Sequence, residues 1–305
     1  MLRGVRAVGR RRVQWLVTSA GALMVLVTLR DVFHTLWHPT RHAGLSRYVM
    51  RGLWELSARL GSHRRAAGIV GPLAMVTVVG TWAFTIILGW ALIYWPHLPE
   101  AFSFAAGLKP EKHSGLLDAL YVSMVTVATL GLGDIAPSAG WLRIVGPAES
   151  LVGFALLTAT VSWILGIYPA LTRRRALALR LSQLRRSGIS AQQFEGAAGA
   201  ALLESLAADV SRVSVDFAQY AESYYFHDGN DRTSLAVNIH HAAELADQGR
   251  RARHPDVRMT AAVLSRALED LADILDRRFL RTGRTEPDVF RAFLDDHGPS
   301  GPGLG

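Results

Sequence analysis

Apolar and polar positions divide this 305-residue chain into a front half of long uncharged runs and a back half of short-period amphipathic segments. Val13 to Leu29 runs seventeen residues without a charge, and after Arg30 and Asp31 the apolar pattern resumes from Val32 to Trp37. About 20 such residues cross a bilayer core, so residues 1–37 are read as an N-terminal transmembrane segment with its helix over Val13 to Trp37. A secretory leader begins in the same way, but the run is long for one and no small-x-small cleavage pattern closes it. Arg30 and Asp31 are expected near one membrane face. From Ala66 to Pro99 no Asp, Glu, Lys or Arg occurs, and Trp90, Tyr94 and Trp95 gather toward the far end as an aromatic belt. Leu116 to Thr129 has helical character but is too short to cross. Ser150 to Thr172 is a further uncharged run of twenty-three residues. The order is therefore long helix, short helix, glycine loop, long helix.

Between and after these runs the pattern changes. Residues 38–65 hold six arginines against one glutamate, with Tyr48, Leu53, Trp54, Leu56 and Leu60 interspersed. They predict a basic amphipathic linker on the membrane surface. Leu177, Leu181 and Leu184 alternate with five arginines between Arg174 and Arg186, and the segment Arg173 to Arg186 is either a contact for anionic lipid or a solvated helix. Leu203, Leu206, Val210, Val213, Phe217, Tyr220 and Tyr224 are spaced alternately three and four apart. That seam suits an intersubunit bundle or packing within one helical domain. After the turn at His227-Asp228-Gly229-Asn230, helices are predicted around Ser234 to Arg253 and Asp256 to Phe279. Residues 173–296 thus form an all-α domain, and the glycine-rich end, 297–305, is expected to be disordered.

Composition narrows the classes. Half of the residues are hydrophobic and mean hydropathy is +0.20, a mixture of membrane domain and polar appendage. The chain has no cysteine, which excludes disulfides, thiolate metal ligands and cysteine nucleophiles. The net charge of +8 lies beside apolar runs rather than along one polar face, which reads as membrane-flanking charge and not as a nucleic-acid surface. No catalytic constellation has recognisable spacing, so no enzymatic activity is expected. His240, His241 and Glu244 place two potential ligands on one helix face, a pattern that usually reflects surface polarity. No metal site beyond a permeant ion, and no cofactor, is expected.

The loop after the short helix carries the candidate chemistry. It reads Thr129-Leu130-Gly131-Leu132-Gly133-Asp134. Gly131 and Gly133 readily adopt the positive backbone angles that let successive carbonyls face one way, and Thr129 can add a hydroxyl oxygen. The short helix aims its C-terminal dipole end at the same place, which favours a cation. Irregular backbone is tolerated at membrane depth only where protein buries it or it lines a water-filled path.

This loop, with its flanking helices over about 66–172, resembles the pore domain of tetrameric P-loop potassium channels of the prokaryotic type, whose filter is commonly Thr-Val-Gly-Tyr-Gly-Asp. Pro137, Arg143 and Gly153 also fall at positions often seen in that family, Gly153 at its hinge glycine. The resemblance implies an all-α membrane protein: outer helix, pore helix, filter loop and inner helix, with an extra N-terminal membrane helix and a cytoplasmic all-α C-terminal domain. It implies filter residues Thr129, Leu130, Gly131, Leu132, Gly133 and Asp134, with Tyr121, Thr126, Glu149 and Gly153 in pore support or gating. Because one chain supplies one filter strand, it implies a homotetramer conducting K+ in the plasma membrane.

Two departures bear on selectivity. Leu132 replaces the usual tyrosine and lacks its bracing hydroxyl, and the family's paired tryptophans are here Tyr121 and Val122. A Thr-x-Gly-Leu-Gly-Asp filter does occur in one pore loop of two-pore-domain potassium channels. Glu149 stands at the start of the inner helix, either as an interfacial partner of Arg143 or as a titratable group behind the filter. With the filter opening outward, inside and outside basic residues number 12 against 8, the sign expected of a cytoplasmic C-terminal domain. The basic N-terminus then falls outside, and a first segment that lies in the interface or re-enters is the alternative. A weakly selective monovalent cation channel, and a non-conducting membrane sensor with a helical effector tail, are the rival functions. A transporter subunit would carry four pore-like repeats, where one is present. No Gly-x-Gly-x-x-Gly nucleotide site and no arginine-every-third-residue voltage sensor is evident.

Overall fold

In the computed structural model, the described residues are 2–37, 49, 52, 64–188, 194–228 and 230–297. Nearly all of the linker predicted over 38–65, and the tail after His297, lie outside them. The helices are α1 (Leu2–Trp37), α2 (Arg64–Tyr94), α3 (Leu116–Val127), α4 (Leu142–Ser187), α5 (Ala197–Gln219), α6 (Leu235–Arg250), α7 (Pro255–Leu275) and α8 (Glu286–His297). Strands β1 (Phe102–Phe104) and β2 (Ile135–Pro137) pair antiparallel, Phe102 opposite Pro137. Three helical stretches, Arg11–Thr35, Gly71–His97 and Leu142–Ser187, are long and apolar enough to cross a membrane. The protein is an all-α membrane protein.

The chain divides into two compact units. Of the described residues, one holds those up to 37 together with 76–163, and the other holds 64–75 and 164–297.

In the first unit α1 runs antiparallel along α2. Gln14 donates to the Pro96 carbonyl at 3.0 Å and Thr18 meets His97 at 3.1 Å. Farther along, Trp82 Nε1 donates to Asp31 at 2.8 Å. Between these points the backbones touch, for a Cβ on Gly21 would lie 2.4 Å from the Gly89 carbonyl oxygen. Glycine is therefore required there for close helix approach, and a larger side chain would push the helices apart. The first segment is a continuous helix laid along α2. Asp31 has a partner within the helix pair: its Trp82 donor is buried and lies 5.6 Å, ring to ring, from Trp163 of α4.

In the second unit the predicted seam closes on its own chain. Leu203, Leu206, Val210, Val213 and Phe217 of α5 are buried with Val257, Leu264, Leu268 and Leu271 of α7 and with Leu235 and Ile239 of α6. α5 ends at Gln219, so Tyr220 and Tyr224 leave the helical seam. Tyr224 instead stacks on Phe279 at 4.1 Å and donates to Asp296 of α8 at 2.5 Å. α8, which no periodicity in the sequence singled out, buries Val289, Phe290 and Phe293. It ends in His297, whose Nε2 lies 2.7 Å from the Tyr224 carbonyl.

The inner helix is longer than predicted. α4 has 46 residues and takes in the segment Arg173 to Arg186. Leu177, Ala178 and Leu181 lie in the core of the helical domain. Four of the arginines meet carboxylates: Arg173 with Asp216 at 2.6 Å, Arg174 and Arg175 with Asp228 at 3.0 and 2.9 Å, and Arg180 with Asp209 at 2.6 Å. Arg174 is almost fully buried and also donates to the Ser223 and Phe226 carbonyls. The apolar face of this stretch thus packs on protein, and only Arg185 and Arg186 of the six remain exposed without a carboxylate among the described residues.

Candidate functional site

α3 begins where the Asp118 carboxylate accepts the Gly115 N–H at 3.0 Å and meets His113 at 2.9 Å. An acidic group in the first turn also opposes the positive end of the helix dipole. Twelve residues later the helix stops: the amides of Thr129 and Leu130 fold back onto the Thr126 and Val125 carbonyls, both at 2.9 Å.

The chain then takes an unusual path. Thr129, Gly131 and Gly133 have φ of 57°, 57° and 75°, while Leu130 and Leu132 keep ordinary negative values. In a pleated strand successive residues face opposite ways. A left-handed residue at every second position undoes that alternation and turns consecutive carbonyls to one side. Among the described residues no amide or side chain donates to any carbonyl from Thr129 to Gly133. Residues 129–133 are exposed, so this row of carbonyls is open to water or to a cation from outside the chain. Thr129 is not glycine, and its positive φ is strain localised at the first residue of the loop.

The outer end of the row is fixed from three directions. The Asp134 carbonyl accepts from the Ala105 amide at 2.8 Å, and Ile135–Pro137 pairs with Phe102–Phe104 just beyond it. The Asp134 carboxylate accepts the Tyr121 hydroxyl at 2.6 Å. This is the brace that Leu132 cannot supply: it joins α3 to the end of the loop through position 121.

The inner end is held by α4. Ser150 Oγ donates to the Thr126 carbonyl at 3.0 Å. Gly153 lies so close to the end of α3 that a Cβ there would sit 2.1 Å from the Val127 carbonyl oxygen. α4 is unbroken through Gly153, and this close approach requires glycine at that position. The Thr126 hydroxyl bonds back to the Val122 carbonyl at 2.7 Å.

Glu149 is fully buried. Its carboxyl meets the Tyr94 hydroxyl at 2.5 Å and the Ser123 hydroxyl at 2.6 Å, and not Arg143. Arg143 instead lines an open cleft of about 780 Å³ with Thr126, Thr129, Pro137, Gly146, Leu151 and Phe154. Sequence reasoning missed Ser123 and Ser150, although a polar residue inside an otherwise apolar helix is itself a signal of a partner in the membrane. It also missed the short β-ribbon, whose three-residue strands are too brief to show a period. In the helical domain His241 pairs with Glu244 at 2.9 Å and His240 is exposed. Among the described residues no group of three His, Asp or Glu side chains is arranged to hold a metal.

The arrangement is a short helix between two helices long and apolar enough to cross a membrane, ending in a row of carbonyls with no donor among the described residues. Residues 80–168 match a family model described as "Ion channel". A Bacillus subtilis (strain 168) protein named "Uncharacterized membrane protein YdjJ" is 26% identical over 171 residues, 55% of this chain and 49% of that protein. A Rhodopseudomonas palustris protein named "Putative potassium channel protein" is 28% identical over 138 residues, 45% of this chain and 29% of the relative. The chain therefore spans half or less of each of these relatives. No solved structure gives a significant match. The likeness to ion channels thus lies in residues 80–168, and one of the two relatives is named as a potassium channel protein.

Proposed function

We propose that this protein is a potassium channel subunit that conducts passively through a homotetrameric pore, with Thr129 to Gly133 as its filter. The observation that carries this reading is the row of five carbonyls with no donor, made coaxial by left-handed backbone at Thr129, Gly131 and Gly133. Backbone carbonyls of this kind replace the hydration shell of K+ in known filters. The relative named as a potassium channel supports the choice of ion.

A single chain presents one row, and a closed filter needs several around an axis. The surface beside the row supports a tetramer. Leu151, Phe154, Leu157 and Val161 form an exposed apolar stripe on α4, next to the open cleft behind Thr129. We place the filter mouth outward in the plasma membrane and the helical domain in the cytoplasm, on the excess of basic residues on that side. The N-terminal arginines then lie on the filter side, since α1 is antiparallel to α2. Contact with anionic lipid would rest on Arg185 and Arg186.

Purified protein in planar bilayers under opposed K+ and Na+ gradients tests the reading. The expected result is a reversal potential near that of K+, from a particle of four chains by native mass spectrometry. Reversal near zero under bi-ionic conditions would make this a weakly selective cation channel, the reading that the absence of a Leu132 hydroxyl favours. Absence of any current, or a stable monomer, would leave the non-conducting sensor.

A further inference from the structure

The contacts behind the filter contain one proton more than their two hydroxyls can supply. Tyr94, the last residue of α2, donates to Glu149 Oε2 at 2.5 Å. Ser123 of α3 lies 2.6 Å from Glu149 Oε1 and 3.0 Å from the Ile87 carbonyl oxygen of α2. Three contacts join four oxygen-bearing groups, and each needs its own hydrogen. Tyr94 has one and Ser123 has one. The Ile87 carbonyl has none, and a Ser123 hydrogen directed at it leaves no other hydrogen on that hydroxyl. The contact of 2.6 Å between Ser123 and Glu149 is then left without a hydrogen unless the carboxyl supplies it.

Sharing the Ser123 hydrogen between two acceptors would weaken both bonds, whereas a proton on the carboxyl gives each contact a hydrogen of its own. Burial leads to the same assignment. Tyr94, Ser123 and Glu149 are each fully buried, and among the described residues no basic side chain lies within ion-pair distance of Glu149. An ionised carboxylate with no cation and a missing donor is the most unfavourable arrangement a buried acid can adopt.

We infer that Glu149 is a neutral, proton-bearing acid that positions the pore helix, through one directional relay from Tyr94 to Glu149 to Ser123 to the Ile87 carbonyl. The relay ties the end of α2, the start of α4 and the middle of α3 together at the back of the filter. Ser150 and Gly153, on the same stretch of α4, hold the last turn of α3 at Thr126 and Val127. Displacing Glu149 therefore shifts the helix end from which the carbonyl row starts. This inference rests on the channel reading, and Glu149 is a positioning residue that touches no ion.

The test is infrared spectroscopy of the full chain in lipid, read beside its current. At neutral pH the wild type is expected to show a protonated-carboxyl C=O band that shifts in D2O and is lost in Glu149→Gln. Glutamine keeps one donor toward Ser123 and one acceptor toward Tyr94, so Glu149→Gln conducts as the wild type does. Glu149→Ala leaves both hydroxyls without their partner, and the lifetime of the conducting state falls on the order of 10-fold, the ratio for one lost buried hydrogen bond. If the alanine variant does not assemble, Tyr94→Phe serves. It removes the donor to the carboxyl oxygen, and the band moves to higher frequency. A conducting wild type without the band, a glutamine variant as impaired as alanine, or no band shift in Tyr94→Phe overturns the relay. A wild type that shows the band but passes no current overturns the channel reading instead.

Discussion

The two units handle their apolar and polar groups in opposite ways. In the second, α4 buries Leu177 at 2% and Leu181 at 0% exposure, and Asp209, Asp216 and Asp228 each meet an arginine. In the first, the same helix leaves Leu151 70% and Phe154 65% exposed, and the adjacent loop leaves a row of carbonyls without donors. Exposed apolar side chains on a membrane helix are met by lipid or by another subunit. Bare carbonyls have no such default partner and require a cation or water. The seam of the helical domain is thus filled from its own chain, whereas the first unit leaves an apolar stripe exposed and a row of carbonyls without donors among the described residues.

The largest expected effect breaks the incomplete side of that contrast. Alanine at Gly131 must take φ of 57°, costing roughly 1–2 kcal/mol in each copy, and it adds a methyl beside the carbonyl row. Gly131→Ala is expected to abolish current in bilayers while native mass spectrometry still finds the assembled particle. Full conduction would remove the filter from residues 129–133.

On the complete side, Asp228→Asn strips the shared carboxylate from Arg174 and Arg175. Arg174 is then a buried guanidinium without its counter-ion, a loss of about 3–5 kcal/mol. Thermal unfolding of the full chain in detergent should show the helical domain melting much earlier, and an unchanged midpoint would mean that the ion pairs do not hold it.

Acid should act on the same domain. Burial, opposed by the Asp296 charge and the Tyr224 carbonyl bond, pushes the pKa of His297 down to about 4 from an ordinary 6.5. Between those values the unfolded chain binds a proton that the folded chain does not, so stability rises with pH across the window. On acidification it falls from about pH 6.5 to about pH 4, by roughly 3 kcal/mol at most. Calorimetry at pH 7 and pH 5 should show the drop, and His297→Gln should flatten it. An equally steep profile in that variant would assign the effect elsewhere.

Gly21→Leu separates α1 from α2 where their backbones touch, at about 1–3 kcal/mol. Crosslinking between cysteines placed at Thr18 and His97, whose side chains meet at 3.1 Å, should weaken, and undiminished crosslinking would contradict the close crossing. Tyr121→Phe has the smallest effect. It removes one hydrogen bond to Asp134, worth about 1 kcal/mol, and should speed the decay of current under steady activation by several-fold. No change would show that the β1–β2 pairing alone holds the outer end.

Much of the pore was legible in the sequence. Uncharged runs longer than a bilayer have one stable environment, and two glycines spaced two apart after a short helix leave few backbone paths. That sufficed for the order of α2, α3 and α4 and for the left-handed backbone at Gly131 and Gly133. Tyr121 was legible only as a substitution at a position of interest, and its bond to Asp134 appears once the loop is folded. Periodicity reported that Leu203, Leu206, Val210 and Val213 share a face, but the same seven-residue pattern serves a bundle of chains and a core within one.

What the sequence determined by itself was therefore local: which segments enter a membrane, where the backbone must turn left-handed, and which side chains share a helix face. The tertiary structure decided every choice of partner. It set α1 antiparallel to α2, turned the Arg173–Arg180 face onto aspartates of its own chain, and gave Glu149 two hydroxyls in place of Arg143. Hydrophobicity is non-directional and is read from a single residue type, whereas a hydrogen bond or ion pair exists only between two groups that folding has brought within about 3 Å.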